Sequence, residues 1–158
     1  MTATNLRSRK NLLRVPRETL LVRANTTRSM QANRSKETSP EIRFRKALWA
    51  AGLRGYRKNV RALPGKPDIV FAGKLVAVFV HGCFWHRCPK CRKDANFNTN
   101  EAFWRAKLSA NVTRDSDDER ELREIHFKVV VVWECEVKKN LELCVQRVKD
   151  ALCLDDSK

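Results

Sequence analysis

The sequence predicts an α/β sandwich in which helices cover a small mixed sheet. Two apolar stretches, residues 75–80 and 127–133, have the length and composition of buried strands. A long, charged stretch with helical spacing separates them, and a helical pattern stands before and after this region. Helices alternating with buried strands favour layers of helix packed on a sheet.

The first predicted helix begins at Ser39. The hydroxyl of Ser39 is suited to cap the helix, and Pro40 fits the first helical position. The carboxylate of Glu41 complements the helix dipole, and this structural role alone is enough to account for a glutamate at this position. Gly52 is suited to end the helix. Four apolar residues at i, i+3, i+4 and i+7 define the buried face: Phe44, Ala47, Leu48 and Ala51. Three basic residues are predicted on the open face: Arg43, Arg45 and Lys46.

The remaining elements follow in order. A short strand is predicted for residues 56–62 and a buried one for residues 69–71, which a tight turn at residues 72–74 joins to the central strand at 75–80. A long helix is predicted to begin at residues 100–101, after a polar loop. The last helix carries one apolar stripe, formed by Leu141, Cys144, Val145, Val148 and Leu152.

The charge of the chain indicates a polyanionic partner. Its 158 residues, enough for one domain, include 33 Lys and Arg against 18 Asp and Glu, a net charge of +15. Residues 1–61 hold 16 of the basic residues against three Glu. Nucleic acid is favoured over an anionic membrane, because no long basic amphipathic helix with an aromatic face is present. We expect neither a membrane span nor a secretory signal, since the apolar runs are too short.

The N-terminal region is predicted to lack a fixed structure. Residues 1–27 are interpreted as a basic, flexible tail, and residues 28–158 as the folded domain. A solvated terminus without a function is the alternative for residues 1–24. Residues 28–36 are interpreted as an arm that contacts DNA and becomes ordered on binding.

Four of the six cysteines have the spacing of a metal site. Cys83-x4-Cys88-x2-Cys91, together with Cys135 after the second core strand, supplies the four thiolates that close a tetrahedral zinc site. Because a closed set leaves no open position, this zinc would be structural. The alternative is a group of unconnected reduced thiols. Packing and exposure are enough to explain the other two, Cys144 and Cys153.

A hexapeptide that overlaps this zinc motif carries other chemistry. His81-Gly82-Cys83-Phe84-Trp85-His86 places two imidazoles and two large aromatic rings at the end of the central strand. Asp68, after Pro67, opens the preceding strand. The spacing from Asp68 to the next strand resembles that of restriction-endonuclease-like nucleases, although the Glu-x-Lys pair usual on their second strand is replaced by Phe79-Val80-His81.

The combined motifs resemble a particular family, the very short patch repair (Vsr) endonucleases. These bacterial enzymes nick DNA beside a thymine mispaired with guanine. The resemblance covers residues 27–150 and rests on the hexapeptide at 81–86, on residues 64–68 and on Trp133-Glu134-Cys135. Shorter matches add to it at residues 28–30, 35–38, 103–104, 111 and 114–115. The fold that it implies is a restriction-endonuclease-like three-layer sandwich with a small mixed central sheet and a structural zinc site.

The resemblance implies a magnesium-dependent catalytic centre. Asp68 matches the metal-binding catalytic aspartate, and the main-chain carbonyl of Val80 would be a second ligand to Mg²⁺. His86 matches the general base that activates water, a role that the ordinary pKa of histidine suits. His81 stands where the lysine would be and would support the phosphate. Without the resemblance, however, a structural role would be the more common explanation for both histidines.

Further matches concern supporting carboxylates and the DNA contact. Glu41 and Asp115 match carboxylates that hold metal-bound water or orient the imidazole. Met30, Phe84 and Trp85 match side chains that the family inserts into the duplex beside the mismatch, where a poorly paired step is easier to unstack. Core packing is the alternative for each, above all for Phe84.

Together these inferences predict a zinc-stabilised, Mg²⁺-dependent endonuclease. It would nick one strand 5′ of the T in a T:G mispair and so start the repair of deaminated 5-methylcytosine. We expect a monomer in the bacterial cytoplasm, associated with the nucleoid, with possible repair-protein partners. Two alternatives remain open: a zinc-stabilised DNA-binding module without catalysis, and a restriction-type nuclease of the same fold.

Overall fold

The computed structural model describes residues 37–91, 97 and 100–153. The predicted tail at residues 1–27, the proposed arm at 28–36 with Met30, and the boundary between tail and domain therefore lie outside the described residues. The elements within these ranges, in chain order, are α1 Ser39–Ala50, β1 Arg57–Lys58, β2 Ile69–Phe71, a 3-10 turn Ala72–Lys74, β3 Val76–His81, α2 Glu101–Glu124, β4 Lys128–Trp133, α3 Glu134–Lys139 and α4 Leu141–Cys153.

The strands form one mixed sheet in the order β1-β2-β3-β4. β1 and β2 pair antiparallel, as do β2 and β3, whereas β3 and β4 are parallel. Helix α2 supplies the crossover that a parallel pair requires. Because β3 and β4 run in the same direction, with His81 opposite Trp133, the residues that follow both strands meet at one edge of the sheet. The predicted mixed α/β architecture with a small sheet is confirmed.

Strand β3 is buried on both faces, and its alternate residues enter two different cores. On one face Val76, Val78 and Val80 pack in a cluster to which α1, α3 and α4 contribute buried side chains. On the other face Ala77 and Phe79 pack against Leu122 of α2. Helices therefore cover both faces of the sheet.

The structure corrects several predicted boundaries. Thr38, and not Ser39, is the N-cap residue of α1, so that Ser39 and Pro40 lie within the first turn. The strand expected at residues 56–62 is reduced to Arg57–Lys58, and Asn59 beyond it has a φ of +49°, which a strand cannot accommodate. Strand β4 is less buried than expected, with Val132 alone fully buried, because it forms an edge of the sheet.

Helix α3 was absent from the sequence prediction. It begins directly after β4, at the residue where the sequence suggested only a strand end. Its start is stabilised by Glu136, whose Oε2 accepts a hydrogen bond of 3.0 Å from the backbone N–H of Trp133. This turn directs Cys135 back toward the end of β3, where Cys83 lies.

Candidate active site and metal centre

Asp68 and Val80 meet beside the end of β3. Asp68 directly precedes β2, and its Oδ2 accepts a hydrogen bond of 2.7 Å from the backbone N–H of Val80. In a strand the N–H and C=O of one residue point to the same side, so the carbonyl of Val80 also points toward Asp68. The structure thus brings together the two residues predicted as magnesium ligands.

The environment of Asp68 makes its charged form costlier than that of an ordinary aspartate. Burial raises the pKa of Asp68 to about 6, and the nearby charge of Glu41 acts in the same direction. The hydrogen bond from Val80 and the charge of His86 oppose this rise. A carboxylate whose charge is costly in its surroundings is one that a cation would stabilise.

His86 and Asp115 form a close pair between the turn after β3 and the middle of α2. The Nδ1 atom of His86 donates to Oδ2 of Asp115 over 2.5 Å. Burial opposes ionisation of Asp115, but the hydrogen bond and charge of His86 outweigh it and lower the pKa of this carboxyl. With Nδ1 as donor, Nε2 of His86 is left to accept a proton, which is the arrangement of a general base oriented by a carboxylate.

His81 stacks on His86 but does not replace the positive charge of a lysine. The two rings are 4.0 Å apart and nearly parallel, at 8°. His81 is buried, and burial, followed by the charge of His86, lowers its pKa to about 4. His81 is therefore neutral near pH 7, where it can donate a single hydrogen bond to a phosphate but cannot attract one by charge.

Glu41 is buried at the start of α1 and uses both carboxylate oxygens there. Oε2 accepts from the backbone N–H of Glu37 and Oε1 from the hydroxyl of Thr38, each over 2.8 Å. Glu41 nevertheless lies close enough to Asp68 to influence its pKa. The structure thus places Glu41 in the first turn of α1, as its predicted dipole-complementing role requires, and also near the predicted catalytic centre.

Arg45 is a residue of this centre that the sequence prediction placed wrongly. It was expected on the open face of α1, yet only 11% of its side chain is exposed. Its Nη2 atom lies 3.1 Å from Oε1 of Glu37, and Nη1 lies 3.8 Å from Oε2 of Glu41. The i, i+4 spacing of Glu41 and Arg45 was the sequence signal for this ion pair.

Phe84 and Trp85 belong to an aromatic cluster outside both cores. Their ring centroids are 5.0 Å apart, and Trp104 lies 6.1 Å from each of them. Asn111 of α2 donates to the carbonyl of Trp85 over 3.1 Å. The cluster is completed by half-buried rings: Phe97 and Phe103. Neither Phe84 nor Trp85 belongs to the two buried clusters, and both rings pack instead within this half-buried aromatic cluster.

The four predicted zinc ligands converge. The Sγ atoms of Cys83, Cys88, Cys91 and Cys135 all lie within 4.8 Å of one another, and those of Cys88 and Cys135 are 3.7 Å apart. Thiolates bound at about 2.3 Å to a tetrahedral zinc would be roughly 3.8 Å apart, so the donor set fits this metal. As expected, Cys144 is buried in the core and Cys153 is exposed.

A polar network that the sequence did not reveal ties the cysteine loop to α4. Glu136 accepts hydrogen bonds of 2.7 Å from Lys90, within the Cys88–Cys91 turn, and from Arg147 of α4. These contacts join residues 46 and 11 positions apart, so no local pattern predicts them. Among the residues that the structure describes, no helix is long and apolar enough to cross a membrane.

Comparison with known proteins identifies the class of protein to which this fold and site belong. The family model described as DNA mismatch endonuclease Vsr matches residues 20–93. A type II nicking enzyme of Neisseria meningitidis, V.NmeAIP, is 45% identical over 124 residues, which cover 75% of this chain and 87% of the relative. The type II nicking enzyme V.NaeI of Lentzea aerocolonigenes is 42% identical over 134 residues, covering 82% and 77%.

The Vsr enzyme itself is a more distant relative. The DNA mismatch endonuclease Vsr of Escherichia coli is 33% identical over 137 residues, which cover 83% of this chain and 85% of the relative. The chain therefore belongs to the Vsr family of DNA mismatch endonucleases, and it is a DNA nicking endonuclease of that family.

Proposed function

We propose that this protein is a Mg²⁺-dependent nickase that cleaves one DNA strand 5′ of the T in a T:G mispair. Its product would start very short patch repair of deaminated 5-methylcytosine. One observation carries the proposal: Asp68 and the His86–Asp115 pair lie together at the sheet edge, beside the aromatic rings of Phe84 and Trp85. We extend the proposal to a restriction-endonuclease-like fold for residues 28–158, preceded by a basic tail.

The residues at the sheet edge are suited to magnesium. Mg²⁺ prefers hard oxygen ligands, and the carboxylate of Asp68 and the carbonyl of Val80 offer two on the same side of β3. When bound there, the ion would neutralise charge on a phosphate oxygen during hydrolysis. Glu41 would support this centre, and Arg45 would limit the repulsion between Glu41 and Asp68.

The chain's own groups would carry the proton transfer. As water attacks the phosphorus, Nε2 of His86 accepts its proton, a new P–O bond forms, and the bond to the leaving sugar oxygen breaks. Asp115 holds the imidazole in the required tautomer and stabilises the imidazolium that results. His81, neutral and stacked on His86, would hold the ring from behind and donate to the phosphate. Because water is the nucleophile, no covalent enzyme intermediate forms.

Recognition of the mispair would fall to the aromatic cluster. Phe84 and Trp85, with Met30 from the N-terminal arm, would enter the duplex between base pairs. Unstacking a base step costs a few kcal/mol, and least where pairing is already poor, so a mispaired step is selected by its lower cost. The zinc held by the four cysteines would fix the loop that presents both the aromatic rings and His86.

The test is strand-specific nicking of labelled duplexes that carry T:G, T:A or C:G at one position in several sequence contexts. We expect Mg²⁺-dependent nicking of the T strand in T:G duplexes, which Asp68→Ala abolishes while zinc content and folding are retained. Asp150→Ala, which removes an exposed carboxylate on α4, is the matched control and should nick normally.

Three other outcomes would contradict the proposal. Nicking that persists in Asp68→Ala would overturn the catalytic assignment. Equal cleavage of paired and mispaired duplexes would indicate a restriction-type nuclease. Tight binding of duplex DNA without any nicking would indicate a DNA-binding module.

A further inference from the structure

The loop that leads into Asp68 adopts an unfavourable backbone conformation. Gly65 and Lys66 are consecutive residues with positive φ angles, +66° and +54°. Glycine adopts this conformation readily, but for a residue such as lysine it costs on the order of 1 kcal/mol or more. Such a conformation persists only where surrounding contacts hold it, so the loop at residues 63–67 needs an anchor.

Helix α2 supplies that anchor through Asp118. The carboxylate of Asp118 lies against the backbone of Gly65, with its Oδ2 only 3.1 Å from where a Cβ atom on Gly65 would be. Burial raises the pKa of Asp118, and the backbone N–H of Gly65 opposes this rise. The approach is close enough that a Cβ atom added to Gly65 would lie 2.9 Å from Cβ of Asp118. Glycine is therefore required at this position both for its φ angle and for the room it leaves. Beside this polar contact, Leu63 of the same loop packs on the apolar cluster that includes Leu122 of α2.

The position of Asp118 on α2 links this loop to the general base. Asp115 and Asp118 are three residues apart and therefore lie on the same face of the helix. Asp115 contacts His86, whereas Asp118 contacts Gly65 in the loop that leads to Asp68. One helix face thus touches two segments that reach the centre from different parts of the chain.

We propose that Asp118 is a positioning residue, which fixes the loop at residues 63–67 against α2 so that Asp68 is held in place to bind the catalytic cation. This inference rests on the proposed function, because that proposal assigns Asp68 to the metal site. In this role Asp118 would act through the loop, without itself binding DNA or metal. Its removal is expected to let Asp68 shift, as happens when a group that orients a metal ligand is lost.

The experiment compares Asp118→Ala, Asp118→Asn and Asp117→Ala in the full-length, zinc-loaded protein. Asparagine keeps an oxygen that can accept from Gly65, and alanine does not. Asp117 is the matched control, since it is a neighbouring carboxylate on the same helix that pairs with Arg120. The measurements are Mn²⁺ binding by calorimetry, single-turnover nicking of a T:G duplex as a function of Mg²⁺ concentration, and thermal unfolding.

For Asp118→Ala we expect the dissociation constant for Mn²⁺ and the half-saturating Mg²⁺ concentration to rise about ten- to hundred-fold. Asp118→Asn and Asp117→Ala should remain close to the wild type in both titrations. If the alanine variant does not fold, Asp118→Leu replaces it, since leucine fills a similar volume but offers no atom that can accept from Gly65.

The proposal would be overturned if Asp118→Ala had the same dissociation constant for Mn²⁺ and the same half-saturating Mg²⁺ concentration as the wild type. A lower unfolding temperature in that variant would then show that the role of Asp118 is purely structural. A loss in Asp118→Asn equal to that in Asp118→Ala would also overturn it, because charge and not the hydrogen bond would then matter. Failure of the proposed function is a separate result: the wild type would not nick T:G duplexes, while Mn²⁺ binding would still test Asp118.

Discussion

The cysteine cluster and the carboxylate–histidine site are neighbours, but they affect the stability of the folded chain in opposite directions. The four thiols of the cysteine cluster form a closed donor set for a soft metal, which would stabilise the folded chain by binding. The second site gathers Asp68, His81 and His86 in partly buried positions, where burial disfavours the charged forms of Asp68 and His81. One site therefore adds to stability, and the other is maintained against a cost.

This difference explains why residues 81–91, at the end of β3 and in the turn that follows it, contribute to both sites. Cys83, Cys88 and Cys91 tie the turn after β3 to Cys135 and so to the end of β4. His86 lies within that tied turn. A partly desolvated polar group persists only where the surrounding structure holds it, and zinc bound by the four cysteines would provide that support.

The largest effect should follow loss of a zinc ligand. Cys88 is fully buried, and its Sγ lies 3.7 Å from that of Cys135. Cys88→Ala should release zinc and lower the free energy of unfolding by on the order of 5 kcal/mol or more, because metal-binding energy is folding energy in such sites. Zinc content per chain and denaturant unfolding are the measurements.

Cys153→Ala is the matched control for this variant. Cys153 is an exposed thiol at the end of α4, so its loss should change neither zinc content nor stability. If Cys88→Ala retained one zinc per chain and normal stability, the thiols would be unconnected, and the contrast between the two sites would disappear.

The second effect should separate catalysis from folding. His86→Ala should slow nicking by roughly 10²–10⁴-fold, the usual contribution of a general base. Asp115→Asn leaves the imidazole in place but removes the carboxylate that holds it, so nicking should slow by a smaller factor. Single-turnover rates on a T:G duplex provide the measurement.

Zinc content and secondary structure should be unchanged in both of these variants. A His86→Ala protein that loses zinc would show that the two sites are one folding unit and not two neighbouring sites. A His86→Ala protein that nicks at the normal rate would exclude His86 as the general base.

The part of the fold that the sequence predicted best depends on local pattern. Apolar runs located β2, β3 and β4, and the apolar spacing of Phe44 and Leu48 located α1. The sequence missed α3 because its start depends on the contact of Glu136 with Trp133, which competes with continuation of the strand. It overestimated β1, an exposed edge strand with little burial to define it.

The site shows a similar division. The cysteine spacing predicted the convergence of the four thiols. Resemblance to a known family predicted that Asp68, His86 and Asp115, which are far apart in the chain, lie near one another. Pattern alone did not reveal the burial of Arg45 or the contact of Asp118 with Gly65. Both depend on how helices pack against loops, which local spacing does not determine.

The smallest effect should test the cost of maintaining the Asp68 site. The pKa of Asp68 is raised from its ordinary value of 3.8 to about 6, so the folded protein retains this proton to a higher pH than the unfolded chain does. In the absence of divalent cations, ionised Asp68 should therefore cost roughly 2–3 kcal/mol above pH 6, and no cost should remain below pH 4. Asp68→Asn, which is neutral and still accepts from Val80, should be more stable than the wild type by about that amount at pH 7.5.

Denaturant unfolding from pH 5 to 8, with zinc present and magnesium absent, measures this difference, which should narrow as the pH falls. The thiolates of the zinc site titrate in both proteins and cancel in the comparison. Added Mg²⁺ should stabilise the wild type alone, because only the wild type retains the carboxylate that we propose as its ligand. An Asp68→Asn protein that is less stable than the wild type at pH 7.5 would show that Asp68 strengthens the fold as the cysteines do, and the proposed opposition between the two sites would be wrong.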